Sequence, residues 1–443
     1  MAHLALRRRR VIIPRLRKKL RSSFLVVPFL GIACGWFLAS GAVWVDEFIH
    51  DLDLRWDDVD LKDLWFLRAT QDFGAAAKTA VGTMSSAMLT FIGVVFSITL
   101  VALQMAAGQF TPRVVRIYVE SWVTKTTLAV FLCTFLYTLR IQKEYATVQD
   151  AGQAVVPYLG ASLGMGFVVV SLVLFVIYVH STIRLMRVTY VMDRVAKESL
   201  QLMESAPASQ PTTGAAPLPD PEDAETLAYE GPPGVLQAVD ARRLVRLAER
   251  DGTRLRLVPR VGDFLSPGIP LLLACDGPPP TAAEVRAAMD VGVERTNEQD
   301  LGFGLRQLAD IASRALSPAV NDPTTAVQAL DRIQVLLAAL APLPLGRTRH
   351  RGEGGVVRLV ESVPTWQDLV DLALTEIREF GAACPQVTRR IAACLDDLEQ
   401  VAADDHRPVL AEQRRLLQEA VRATVPDADR QRFALTPDRQ GIG

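Results

Sequence analysis

The chain has 443 residues, half of them hydrophobic, and a formal net charge of -1. All seven lysines lie at or before Lys197, which removes a Walker-A phosphate loop, a lysine Schiff base and a biotin or lipoyl attachment site from the C-terminal part. The five cysteines include no CxxC and no histidine at zinc spacing, so neither a disulfide framework nor a zinc site is expected.

The N-terminus (1–23) is polybasic, with Arg7 to Arg10 in a row. The apolar run that follows is too long for a signal-peptide core and reads as an uncleaved anchor. Four runs have the length and apolarity of membrane spans: 24–45, 80–107, 126–141 and 155–180. The fold expected for 24–182 is therefore an all-α membrane bundle of four transmembrane helices. Arginines and lysines flank the first, second and fourth runs on one side, while 46–63 is strongly acidic. The positive-inside rule then puts both termini in the cytoplasm; arginine- and alanine-rich usage suggests a GC-rich bacterial genome, and with it an inner-membrane bundle. Span interiors hold no Asp, Glu, Lys or Arg, with Arg140 and His180 near span ends, which argues against proton relays and voltage sensing. Gly31-x3-Gly35 and Gly160-x3-Gly164 permit close helix approach, in a compact bundle or a homo-oligomer.

The second run carries a polar stripe. Thr83, Thr90, Ser97 and Gln104 are seven residues apart and share one helix face, with a drift of about 20° per repeat. Hydrocarbon satisfies neither hydroxyl nor amide, so this face either packs and hydrogen-bonds a neighbouring helix or lines a hydrated conduit in an oligomer. Beyond it, Thr111-Pro112 reads as a helix break. Arg113 and Arg116 then lie at headgroup level, as positive-inside anchors or as contacts to anionic lipid.

A helical extension (183–203) leads into an acidic, Pro- and Ser-rich linker (204–234). The remainder is expected to be a cytoplasmic α+β domain. A small β-rich part (235–280) comes first; its stretch Val261 to Leu273 is similar to the strand-turn-strand pattern of small lipoyl-like barrels, without the modifiable lysine. Helices follow over 281–425, opened by the capping box Thr281-x-x-Glu284, and 426–443 reads as a disordered tail. His350 and His406 fall in polar stretches expected to be exposed, and Asp300 in a segment read as solvated surface. The junction Asn321-Asp322-Pro323-Thr324-Thr325 is a strong helix start. Its amides and side chains are either a well-capped turn or a site for an anion or small ligand, formed by Asn321, Asp322, Thr324 and Thr325.

Two stretches carry a family likeness. One is Phe96-Ser97-Ile98-Thr99-Leu100-Val101-Ala102-Leu103-Gln104 with Phe110-Thr111-Pro112-Arg113; the other runs from Phe303 to Ala312 and on through Ser317-Pro318 to Asn321-Asp322-Pro323-Thr324-Thr325-Ala326. Together they resemble a bacterial predicted integral-membrane family of unknown function, domain of unknown function 2254, over about residues 20 to 425. The resemblance implies that the two motifs matter together and brings no activity, substrate or cofactor with it. No catalytic signature (GxSxG, HExxH or a Gly-rich phosphate loop) occurs, so catalytic, cofactor and metal sites are expected to be absent. The leading expectation is a channel-like or permeation-related homo-oligomer gated or assembled by its cytoplasmic domain. Its partners would be the bilayer, further copies of the chain and an ion or small cytoplasmic ligand, without nucleic acid. A non-conducting scaffold or sensor is the alternative, and a membrane-associated enzyme a third.

Overall fold

The computed structural model describes residues 25–55, 65–109, 121–151, 158–205 and 224–440. The chain divides into two compact units, 1–187 and 188–443.

Among the described residues the first unit has four helices: α1 (Val26–Arg55), α2 (Trp65–Gln109), α3 (Trp122–Ala151) and α4 (Tyr158–Leu185). Each contains a stretch long and apolar enough to cross a membrane: Val26–Phe48, Thr79–Ala106, Trp122–Glu144 and Leu159–Leu185. A helix satisfies all its interior backbone groups by itself, which is the condition hydrocarbon imposes. The first and third stretches extend past the sequence runs and so take in Asp46 and Lys125, while Arg140 sits near the end of the third. Arg140 pairs with Glu144 one turn on.

Close packing here follows from small residues. A Cβ on Gly31 would overlap the backbone of Ala129, and one on Gly35 the backbone of Cys133. These two glycines, one turn apart, therefore let α1 lie directly on the main chain of α3. Polar residues tie the other helices. The Thr134 and Ser171 hydroxyls meet at 3.1 Å between α3 and α4, both fully buried. Tyr137 donates to the carbonyl of Gly160 at 2.8 Å. Thr99 of α2 lies 2.6 Å from the Tyr178 hydroxyl of α4. Phe91 sits edge-on to both Phe131 and Phe175.

The second unit opens with α5 (Val188–Ser205), which begins two residues after α4. Its buried residues Val191, Met192, Val195, Ala196 and Ser199 follow the three-and-four spacing of an amphipathic helix. Among the described residues eight strands follow in two sheets: β1 (Glu225–Ala228), β2 (Gly234–Val239), β3 (Arg254–Leu257), β4 (Phe264–Leu265), β5 (Pro270–Cys275), β6 (Met289–Gly292), β7 (Arg347–Arg351) and β8 (Val357–Ser362). One sheet has the order β1-β5-β3-β8-β7 and the other β4-β2-β6. Only β3 and β8 pair in parallel among these ladders. Between the strands lie α6 (Ala241–Arg250) and α7 (Ala282–Arg286).

This corrects the expected barrel-like part: the β region is two open sheets. The turns read from Val261 to Leu273 are present, with Gly262 at φ 100° and Gly268 at φ 89°. The strands on either side go to different sheets, β4 to β2 and β5 to β1 and β3, so the stretch cannot close on itself. The five-stranded sheet also draws β7 and β8 from a region read as wholly helical. Their hairpin is rich in arginine and carries little apolar alternation to mark it.

The remaining helices are α8 (Phe303–Ala315), α9 (Pro323–Leu340), α10 (Trp366–Gly381), α11 (Pro385–Val401), α12 (Arg407–Thr424) and α13 (Ala428–Leu435). Their starts are locally encoded. Capping boxes form at Thr281–Glu284 and Thr365–Asp368, and Asp427 caps α13. The segment read as a disordered tail is largely ordered. Thr388 of α11 donates to the carbonyl of Ala434 at 2.7 Å, and the Arg389 guanidinium lies 4.3 Å from the centre of the Phe433 ring.

Candidate functional site

Three places hold the residues singled out by their chemistry. The first is the stripe on α2. Thr83, Thr90, Ser97 and Gln104 are all exposed in the single chain, as are Ser86, Gly93 and Leu100, which fill the intervening three- and four-residue steps. The buried side of α2 carries Val81, Ser85, Met88, Ile92, Val95, Ala102 and Ala106. At 3.6 residues per turn these two sets lie on opposite sides of the helix. The stripe therefore points away from α1, α3 and α4. It is flanked by exposed apolar side chains, Leu89 and Phe96 on one side and Val94, Val101 and Met105 on the other.

Three hydroxyls on this face are satisfied within the helix. Thr83 donates to the carbonyl of Thr79 at 2.8 Å, Ser86 to Gly82 at 3.1 Å and Thr90 to Ser86 at 3.1 Å. Such back-bonding lets a hydroxyl sit in apolar surroundings at little expense. The Gln104 carboxamide brings two donors and a carbonyl acceptor to this face, more than one hydroxyl carries. A side-chain hydroxyl contact from α2 to α4 comes instead from Thr99, a residue outside the stripe. Arg113 and Arg116 lie outside the described residues.

The second place is the junction between α8 and α9. Asn321 is exposed and holds φ 48°, a left-handed backbone that asparagine tolerates better than most residues. Asp322 caps α9: its carboxylate accepts from the Thr325 amide at 3.1 Å and from the Thr325 hydroxyl at 2.6 Å. The Asp322 amide returns to the carbonyl of Ala315 at 2.8 Å. Thr324 is exposed beside them. The negative charge that the helix start favours is thus supplied by Asp322 itself.

The third place was not legible in the sequence. A cavity of about 580 Å³ opens within the second unit, between the end of α5, the loop before α8, the loop after α9 and the β7–β8 hairpin. That volume is in the range of small-molecule sites. Most of its wall is apolar, including Leu202, Met203, Leu257, Leu343 and Val363. Its polar part is arranged by short-range bonds. His350 Nε2 lies 2.9 Å from a Glu361 carboxylate oxygen, on adjacent strands and with both side chains about four-fifths buried (22% and 18% exposed). Gln299 docks its amide on the end of β2, accepting from Val239 N at 2.8 Å and donating to Val239 O at 3.2 Å.

Asp300 is almost fully buried, contrary to its reading as solvated surface. It pairs with Arg295 at 2.7 Å and accepts from Gly302 N at 3.1 Å, fixing the entry into α8. Burial pushes its carboxyl above the ordinary carboxylate range, against the opposing pull of Arg295. The histidines also differ from expectation. His350 faces the cavity, and His406 is buried, stacked on Trp366 with Nδ1 at 2.8 Å from the Ala341 carbonyl. The alternation of Thr348, His350 and the facing Glu361 was the available sequence signal, but it makes sense only once β7 and β8 are known to pair.

Comparison with known proteins adds the family. A family profile described as a predicted membrane protein, DUF2254, matches residues 21–397. Uncharacterised proteins of Mycobacterium bovis and of two Mycobacterium tuberculosis strains, H37Rv and CDC 1551, are each 29% identical over 400 residues, covering 88% of this chain and 74% of theirs. No solved structure matches the chain. The matched segment spans all four apolar helices and the greater part of the second unit, so the chain belongs to the predicted-membrane-protein family DUF2254.

Proposed function

We propose that the protein is a non-enzymatic, homo-oligomeric permeation protein of the bacterial inner membrane. In this reading α2 of each copy turns its stripe towards a shared axis. The unit 188–443 lies in the cytoplasm with both termini and gates or assembles the oligomer.

The observation that carries the reading is the position of the stripe. It lies diametrically opposite the buried side of α2, so a lone chain in a bilayer would present Gln104 and Ser97 to hydrocarbon. Further copies or water are the surroundings that relieve this. Ion flux into liposomes, measured for the intact protein and for Ser97→Leu and Gln104→Leu, tests it. The expected result is altered flux with assembly retained. Flux absent under varied voltage, tension and ligand sinks the reading.

A second reading, a non-conducting scaffold or sensor, is favoured by the back-bonded hydroxyls of Thr83 and Thr90, which need no water. It predicts a stable oligomer that passes nothing and holds one stoichiometric partner.

A further inference from the structure

We infer that the cavity of the second unit is a binding site for an amphipathic cation: a small molecule with an apolar body and a protonated amine. The cavity, about 580 Å³, is in the size range of small-molecule pockets, and its walls are mainly aliphatic. An apolar body is therefore what it would take from water. The charged residues on the lining are Glu298, Asp300 and Glu361, with His350, and among the described residues no arginine or lysine lines it. That is notable in a unit where arginine is the commonest basic residue. Asp300 is already engaged by Arg295 and the start of α8. Glu298 also has a partner, and Glu361 is the acid that the hairpin presents to a ligand. It comes from β8, is held in place by His350, and is sheltered enough for a charge interaction to exceed that of an open surface. An anion entering here would meet like charges and, among the described residues, no arginine or lysine on the wall, so the arrangement selects by sign as well as by polarity.

The site also touches the element best placed to register occupancy. Leu202 and Met203, in the last turn of α5, form part of its wall. That helix follows the fourth apolar helix after two residues. The inference stands apart from the permeation reading, because binding is measured without any flux.

Equilibrium dialysis of the full chain in lipid nanodiscs tests it, with 2-(1-naphthyl)ethylamine as probe, 1-naphthylacetate as its anionic counterpart, and empty nanodiscs to subtract partitioning into lipid. Saturable amine binding at one site per chain is expected, at least about tenfold tighter than the carboxylate. Glu361→Gln should weaken the amine by about tenfold with little change in melting. Leu343→Trp, at a position 40% exposed and so tolerant of a larger side chain, should block the cavity and abolish binding. Amine uptake no greater than in empty nanodiscs overturns the site. Equal affinity for the carboxylate overturns the ligand class, and binding unchanged in both folded variants overturns the location.

Discussion

Asp46 near the end of one apolar helix caps the start of another through Gly160: its carboxylate accepts from the amides of Leu159 and Gly160, each at 3.0 Å. Asp46 is buried, and the first amides of any helix lack partners within it. The carboxylate thus satisfies two donors that a membrane would otherwise leave bare, and it joins segments 113 and 114 residues apart. Tyr137 holds the carbonyl of the same Gly160. Charge-assisted bonds of this kind contribute about 1.5–3 kcal/mol each. Asp46→Leu is expected to lower bundle stability by about 3 kcal/mol, and Asp46→Asn by less. Denaturation in mixed micelles reads the difference; equal stability of the Leu variant would refute the cap.

The α1–α3 approach gives a second prediction. Gly35→Val drives a side chain into the backbone of Cys133, which cannot yield by a rotamer change. A loss of about 1–3 kcal/mol or more is expected, from overpacking and helix separation. Gly93→Ala on α2 is the control, since nothing lies within 4 Å of its added carbon. It should leave bundle stability unchanged in the same assay.

At the α8–α9 junction, Asp322→Ala removes a cap and should destabilise the second unit by about 0.5–2 kcal/mol. Asn321→Gly should be neutral or slightly stabilising at φ 48°, whereas Asn321→Val should strain the turn. Melting temperatures of the three variants decide this. If Asn321→Ala keeps both melting and function, a ligand role for the junction is retired.

Acid sensitivity has a definite sign at the capping box of α7. The Arg250 guanidinium, 2.5 Å from Glu284, and the Thr281 hydroxyl hold the Glu284 carboxyl down to about 2, from an ordinary 4.5. A lowered folded value contributes stability above the ordinary pKa, and the contribution is lost as pH falls through the folded one. The deficit of Glu284→Gln should therefore be constant above about pH 4.5 and vanish towards about 2. The pair is exposed, so the effect is small and weakens with salt. A deficit that grows on acidification would contradict the assignment.

The membrane helices were readable because hydrocarbon imposes a local rule, a continuous apolar length, and because the Gly31 and Gly35 spacing is itself local. The helix starts at Thr281 and Asp322 were readable for the same reason: a cap is written within three or four residues. The sheets were not. β4 has two residues, and the partner of β3 lies about a hundred positions downstream, at Leu359 to Glu361. The cavity was out of reach altogether, because Leu202, Gln299, Leu343 and Glu361 come from separate segments whose proximity is purely tertiary. The stripe stands between these cases. Its shared face was visible from seven-residue spacing, while its exposure depended on which side of α2 the other helices would choose.

The parallel pairing of β3 with β8 bears on how the chain can be made and cut. Until residue 357 has been synthesised, one edge of β3 has no strand to take up its hydrogen bonds. The β region therefore completes only after α8 and α9 have emerged, a late, long-range closure of the kind that slows folding. A fragment ended near residue 280, where composition suggests a boundary, is expected to expose that edge and self-associate; one carried through Ser362 at least restores the missing strand.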